Sequence, residues 1–149
     1  METTLATRDP LTGLLNRRAL FERLDSELAG ATRYGRQLSV ALVDIDRFKA
    51  VNDELGHATG DEVLRLFAAE LAGALREVDV VGRYGGEEFL VLMPETGLEA
   101  GRVALERCRR AMGEAAWPEG LGIRFSAGLT EAGARPRDEL LRAADRLLY

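Results

Sequence analysis

The sequence predicts an α/β domain in which helices pack on a mixed central sheet. Segments with apolar residues at helical spacing alternate with runs rich in β-branched and apolar residues, and two of these runs are close enough to form an antiparallel hairpin. No repeat, low-complexity tract or linker interrupts the 149 residues, of which 46% are hydrophobic. Because this length can bury one core, we interpret residues 1–149 as a single domain.

Four helices are predicted from the spacing of apolar residues. Asp9 and Pro10 give a cap and first-turn signal for the first helix, and Thr59 opens the second. The third covers residues 98–112, and the fourth begins near Pro136. Their inward-facing residues are predicted to be Leu20, Leu24 and Leu28, then Leu64, Phe67, Leu71 and Leu75, then Ala104, Leu105, Cys108 and Met112, and finally Leu140, Leu141, Ala144 and Leu148.

The predicted strands lie between these helices. They cover residues 38–45, a hairpin within residues 80–93, and residues 122–130. Gly85 and Gly86 are expected to form the hairpin turn, because glycine reaches positive φ at little steric cost. Gly56 and Gly60 are also interpreted as turn formers.

Charge and composition exclude several classes of partner. The net charge of −5 lacks the basic excess that grips DNA or RNA, so a nucleic-acid polymer is not an expected partner. No run is long enough to span a bilayer and no secretory signal begins the chain, so we expect a cytoplasmic chain, or a soluble piece of a larger protein, in which this domain has no membrane contact. The helical pattern is still running at residues 147–149, so we expect a chain truncated at its C-terminal end.

Acidic residues follow the first strand and open the second half of the hairpin. Alternation places Asp44 in line with core residues, and a buried charge needs a partner. That partner is either Lys49 or an arginine in an ordinary ion pair, or a divalent cation. Glu87 and Glu88, on a strand predicted to pair beside this one, are either a solvated hairpin rim or further acids of the same cation site.

Several motifs together resemble the GGDEF family of diguanylate cyclases. They are "DPLTGLLNRR", "DIDRFKAVNDELGHATGDEVL", "RYGGEEF", "SAGLT" and "ADRLLY", in the family's order and covering nearly the whole chain. The resemblance implies a palm-like fold related to class III nucleotidyl cyclases. It also implies a magnesium-dependent enzyme that condenses two GTP into cyclic di-GMP and releases two pyrophosphates. The alternative is a catalytically silent module that binds GTP or cyclic di-GMP.

The resemblance also implies roles for individual residues. Two Mg²⁺ ions, or Mn²⁺ in their place, would be held by Asp44, Glu87 and the main-chain carbonyl of Ile45, with Glu88 close by. Glu87 would also accept the proton of the attacking hydroxyl, and Lys49 would offset charge on the transferred phosphoryl group. Residues implied to contact the substrate are Arg47 and Phe48 through their amides, Asn52 and Asp61 at the guanine edge, Gly85 and Gly86 beside the phosphates, and Arg146 as a basic phosphate contact.

Alternatives remain for some of these residues. Asn52 and Asp61 could be turn and cap residues, and Lys49 a solvated helix charge. Arg76 and Asp79 are predicted to close the second long helix, where Arg76 could simply complement the carbonyl end of the helix dipole. They also resemble the family's product-inhibition site, where Arg83 could add a contact. The resemblance further implies a homodimer, because two identical sites across a two-fold axis would form both phosphodiester links of the product.

Overall fold

The computed structural model describes residues 4–148. Across that range, helices and strands alternate along most of the chain. In order they are α1 (Thr4–Thr7), α2 (Arg17–Tyr34), β1 (Leu38–Ile45), α3 (Phe48–Leu55), α4 (His57–Ala74), β2 (Val80–Arg83), β3 (Glu88–Pro94), α5 (Leu98–Glu114), a 3₁₀ turn (Pro118–Gly120), β4 (Phe125–Glu131) and α6 (Arg137–Leu147).

The strands form one four-stranded sheet in the order β2-β3-β1-β4. Every pair of neighbouring strands is antiparallel, with Leu42 of β1 opposite Leu90 of β3 on one side and Gly128 of β4 on the other. A parallel pairing occurs as an isolated bridge between Leu15 and Gly82 at the β2 edge. The predicted α/β class is therefore confirmed, with a sheet whose strand pairs are antiparallel.

The sheet separates two apolar layers. On the face covered by α3, α4 and α5, Phe67 lies 5.3 Å from Phe89 and 5.9 Å from Phe125, measured between ring centroids. On the other face, Leu20, Leu24 and Leu140 of α2 and α6 are fully buried. Alternation along β1 sends Ala41, Val43 and Ile45 to the first layer and Val40 and Leu42 to the second. Asp44 therefore follows Val40 and Leu42 to the α2 and α6 face.

The predicted start of the first long helix at Asp9 and Pro10 is wrong. The carboxylate of Asp9 instead closes a turn by accepting hydrogen bonds from the amide and the hydroxyl of Thr12, both at 2.9 Å. The helix α2 begins at Arg17, where the side chain of Asn16 accepts from the amide of Ala19. Asp and Asn offer the same short acceptor, so the sequence alone did not distinguish the turn from the cap.

The predictions for the two glycines near the start of α4 have different outcomes. Gly56 has a φ of 89° and forms the bend between α3 and α4, which confirms its role as a turn former. Gly60 lies inside α4, which begins at His57 rather than at Thr59, so its predicted turn role is wrong. The helix α4 ends at Ala74, so Arg76 lies in the turn beyond the helix and not in its last turn.

The hairpin glycines do not have the backbone that was predicted for them. Neither Gly85 nor Gly86 is among the residues with positive φ in the described part of the chain. The turn is closed by the amides of Tyr84 and Gly85, which both donate to the carbonyl of Glu88. A Cβ atom at Gly85 would lie 2.6 Å from a carboxylate oxygen of Glu88, so this glycine provides space for that side chain.

Two further observations concern the residues outside the sheet. Cys108 is buried on α5, as predicted, and burial raises the pKa of its thiol to about 11. In the part of the chain that the structure describes, no helix is both long and apolar enough to cross a membrane.

Candidate active site

Three carboxylates come together where β1 and β3 meet the hairpin loop. Asp44 lies opposite Glu88 in the register of these strands, and alternation turns both toward α2 and α6. Glu87 is fixed beside them, because its carbonyl accepts a hydrogen bond of 3.2 Å from the amide of Ile45. The predicted approach of the hairpin acids to the end of the first strand is therefore observed.

Burial and neighbouring carboxylates determine the pKa of the acid at the end of β1. Burial, followed by the charges of Glu87, Glu88 and Asp46, raises the pKa of Asp44 to about 6. Across residues 4–148, no lysine or arginine forms an ion pair with Asp44, Glu87 or Glu88. The ion-pair alternative for Asp44 is thus not what the structure shows.

Glu88 connects the cluster to both neighbouring helices. Burial raises its pKa first, and the charges of Glu87 and Asp145 raise it further, while Arg17 opposes them. Asp145 is near the C-terminal end of α6, and Arg17 is the first residue of α2. Both helix ends therefore lie within electrostatic reach of the hairpin acids.

The cluster suits a cation that the substrate helps to bind. Among the described residues, no three histidine, cysteine or acidic side chains are already arranged to hold a metal ion by themselves. Mg²⁺ in nucleotide sites uses one or two carboxylates plus phosphate oxygens, so a complete protein cage is not required. Ile45 donates to Glu87, but among the described residues no hydrogen bond returns from the Glu87 amide to the Ile45 carbonyl, the oxygen that is predicted to be a further ligand.

Two arginines hold the loop that carries the acids. The Arg83 guanidinium donates to the carbonyls of Gly85 and Gly86, at 3.3 Å and 2.8 Å, and forms an ion pair with Asp9. Arg17 donates to the carbonyl of Tyr84 at 2.9 Å and lies 4.4 Å from the centre of the Tyr84 ring. The positions of Asp9 and Arg17 near the site were not predictable from the sequence, because each contacts a residue more than sixty positions away.

The start of α3 carries the amides that are predicted to receive phosphate oxygens. Arg47 precedes the helix with a φ of 59°, a left-handed conformation that is uncommon for a residue other than glycine. The first amides of a helix have no partner within the helix and favour anions. Phe48 is buried, so it can contribute through its amide but not its ring, whereas Lys49 is exposed.

The packing of α3 on α4 places Asn52, one member of the predicted guanine pair, beside Gly60. The side-chain oxygen of Asn52 lies so close to Gly60 that a Cβ atom there would be 1.9 Å away. Asp61 follows Gly60 and is exposed. Asn52 and Asp61 both lie inside helices and neither caps one, which removes the turn and cap interpretation.

The remaining predicted residues lie around this core of the site. Arg146 is exposed in the last turn of α6, directly after Asp145. Arg76 and Asp79 form a separate turn between α4 and β2, in which the Asp79 side chain is 1% exposed and paired with Arg76. Arg83 is occupied by Asp9 and the hairpin loop, so its contacts do not extend the Arg76 turn.

Comparison with known proteins gives a consistent set of matches. The family model "Diguanylate cyclase, GGDEF domain" matches residues 6–149. Diguanylate cyclase DgcP of Pseudomonas aeruginosa is 49% identical over 150 residues, which is 97% of this chain but 22% of DgcP. The chain thus spans about a fifth of that relative.

Two solved structures have the same fold. Diguanylate cyclase SiaD of Pseudomonas aeruginosa, solved in complex with its activator SiaC, has a TM-score of 0.90 and 42% identity, covering 94% of this chain and 55% of that chain. The GGDEF domain of DgcB from Caulobacter crescentus, solved with c-di-GMP, has a TM-score of 0.88 and 32% identity, covering 95% of this chain and 86% of that one.

Proposed function

The chain belongs to the GGDEF domain family of diguanylate cyclases, and on that premise we propose that it condenses two GTP into cyclic di-GMP and releases two pyrophosphates. One observation carries the proposal. Asp44, Glu87 and Glu88 meet at one end of the sheet with no basic partner in the described residues, and burial raises the pKa of Asp44. Clustered carboxylates without a basic partner are suited to bind a divalent cation together with a triphosphate.

Asp44, Glu87 and the Ile45 carbonyl would hold two Mg²⁺ ions, or Mn²⁺ in their place, with Glu88 beside them. Bound there, the ions would neutralise charge on the phosphoryl group that is transferred. Glu87 would accept the proton of the attacking 3′-hydroxyl, the role that the family resemblance implies for it, and its backbone is anchored to β1 at Ile45.

Other residues of the chain would bind and orient the substrate. The first amides of α3, at Arg47 and Phe48, would receive phosphate oxygens, and Lys49 would offset their charge. Asn52 and Asp61 would read the guanine edge, since a carboxylate accepts from the two guanine donors that adenine lacks. Gly85 and Gly86 would allow the phosphates to approach the loop, and Arg146 would add a basic contact from α6. GTP as substrate implies a cytoplasmic site of action.

The product contains two equivalent phosphodiester links, so we propose that the active form is a homodimer. The described residues of one chain bring Asp44 and Glu88 together in one cluster, and a two-fold axis would place the partner's cluster opposite it. The rate per subunit should then fall as the protein is diluted. A rate per subunit that stays constant over a wide dilution would contradict the dimer.

Feedback by the product is a further part of the proposal. Arg76 is half exposed, and its planar guanidinium can form paired hydrogen bonds with phosphate or guanine acceptors. A cavity of about 570 Å³ adjoins the Arg76 turn and is lined in part by Asp79, Arg8 and Arg36. Cyclic di-GMP bound here, away from Glu87, would hold two domains in an arrangement where their GTP sites cannot meet.

Product formation distinguishes this enzyme from the silent binding module. The full natural chain, incubated with GTP and Mg²⁺, should form cyclic di-GMP that is resolved by chromatography. Glu87→Gln should lose product formation, whereas Glu99→Gln, an exposed acid on α5, should retain it. Absence of product from the full natural chain would contradict the enzyme and leave the binding module.

A further inference from the structure

The N-terminal turn is linked to the hairpin loop by a chain of contacts that the proposed reaction does not yet use. Thr12 donates its amide and its hydroxyl to one carboxylate oxygen of Asp9. Both Asp9 oxygens accept from one nitrogen of Arg83, at 3.3 Å and 3.2 Å. Arg83 then donates to the loop carbonyls of Gly85 and Gly86.

These contacts are more protected than an ordinary surface ion pair. The side chains of Arg83 and Asp9 are 20% and 16% exposed, whereas those of Arg102 and Glu99, a pair on α5, are 60% and 77% exposed. Burial raises the pKa of Asp9, but the hydrogen bonds from Thr12 and the charge of Arg83 outweigh it, and the net pKa is lowered. Asp9 therefore remains ionised and paired.

The arrangement constrains the peptide planes of the loop. Because a trans peptide is planar, holding the carbonyls of Gly85 and Gly86 on the Arg83 side directs the amides of Gly86 and Glu87 to the opposite side. The far end of the same segment is fixed by the bond from Ile45 to the Glu87 carbonyl. Glu87 is thus held between two anchors, one from β1 and one from Arg83.

We propose that Asp9 and Arg83 are positioning residues, which fix the hairpin loop so that Glu87 stays beside Asp44. Arg83 needs its planar fork for this task, because one guanidinium serves two carbonyls and a carboxylate at once. Lysine would keep the charge but could not make all of these contacts. The inference rests on the proposed function for its effect on catalysis, while the effect on loop geometry is independent of it.

The experiment compares Arg83→Lys and Asp9→Asn with wild type, using Arg102→Lys as the matched control on the exposed pair. Arg83→Lys should lower kcat by about 10- to 100-fold with little change in the KM for GTP, because a small misplacement of a reacting group has an effect of this size. In protein labelled with ¹⁵N-glycine, the amide resonances of Gly85 and Gly86 should shift in both test variants and stay in place in the control. The double variant should lose no more than the worse single one.

Two results would overturn the positioning role. One is an Arg83→Lys variant with wild-type kcat and unshifted Gly85 and Gly86 resonances. The other is a loss of activity that equals the unfolded fraction, measured by circular dichroism, while the two resonances of the folded fraction stay in place. If the wild-type chain forms no cyclic di-GMP, the proposed function fails, and the glycine resonances alone then decide the positioning role.

Discussion

Asp44 and Glu88 lie directly opposite each other on antiparallel strands, as two carboxylates on the same face of the sheet. Glu87 adds a third acid at the adjoining loop. Like charges in this arrangement destabilise the folded chain unless a cation or a proton compensates them. The stability of the domain should therefore respond to pH, to Mg²⁺ and to loss of any one of these acids.

Asp44→Asn should stabilise the metal-free protein at high pH. The pKa of Asp44 is raised from 3.8 to about 6, so the folded state retains this proton longer than the unfolded state, and stability falls as pH rises between those values. The variant should match wild type near pH ~4 and exceed it near pH ~8 by about 1 kcal/mol, allowing for screening at a partly exposed site. Urea unfolding in EDTA measures both differences. A wild type that equals the variant at the higher pH would contradict the expectation.

Asp61→Ser should relax the preference for guanine. If the carboxylate accepts from two guanine donors, its loss should raise the KM for GTP and reduce discrimination against ATP by about 10- to 100-fold. Competition of ATP against GTP in the cyclase assay measures the change. Glu62→Ser, at the next and also exposed position of α4, is the control. Unchanged discrimination in Asp61→Ser would remove Asp61 from the base site.

Gly60→Ala should have a similar effect without removing a polar group. The added Cβ atom would lie 1.9 Å from the Asn52 oxygen and 3.3 Å from the Phe48 ring, so Asn52 must move. We expect weaker GTP binding by calorimetry, although alanine is the better helix former by about 1 kcal/mol. GTP affinity equal to wild type would show that Asn52 does not contact the base.

Gly128→Ala should destabilise the fold through the contact of α6 with β4. A Cβ atom at Gly128 would lie 2.0 Å from the carbonyl oxygen of Ala144, so the helix must shift outward. Overpacking of this kind costs about 1–3 kcal/mol, to be measured by urea unfolding. Gly73→Ala is the control, because its Cβ meets no atom within 4 Å and should stabilise α4 slightly. A neutral Gly128→Ala would mean that α6 is free to adjust.

Arg76→Ala should abolish cyclic di-GMP binding at the proposed inhibitory site. It also removes hydrogen bonds to Asp79, Pro94 and Thr96, so a lower melting temperature is expected alongside. Thr96→Val removes one of these contacts but no ligand group, and it serves as the stability control. Calorimetry should detect the product with Thr96→Val and not with Arg76→Ala, whose cyclase activity should persist without product inhibition. Equal affinity in both variants would contradict the site.

The elements that the sequence predicted well depend on local periodicity. The strand Leu38–Ile45 and the third helix start, at Leu98, agree with the structure, as does the position of Cys108 in the core. The acidic cluster was also predictable, because alternation and strand pairing determine which side chains meet at a strand end. The contact of Asp9 with Arg83 was not, because its partners are 74 positions apart and Asp9 matched a local cap signal.

The roles of the glycines in α4 and in the hairpin loop were also not predictable from the sequence. Gly60 and Gly85 were assigned to turns, because glycine is common there. Gly60 lies inside α4, whereas Gly85 does lie in the hairpin loop, and each is close to another side chain, Asn52 for Gly60 and Glu88 for Gly85. A glycine that is required by a neighbouring side chain looks the same in the sequence as one that is required by a backbone angle, and only the three-dimensional packing distinguishes them.

The residues predicted to bind the nucleotide belong to both layers of the domain. Asp44 and Glu88 face the layer of α2 and α6, whereas Asn52 and Asp61 belong to helices of the opposite layer. A nucleotide that contacts both pairs of residues would extend around the end of β1 and connect the two layers. Local opening of the helices in either layer would then require release of the nucleotide. Bound GTP should therefore slow amide exchange in α6 as well as in α3.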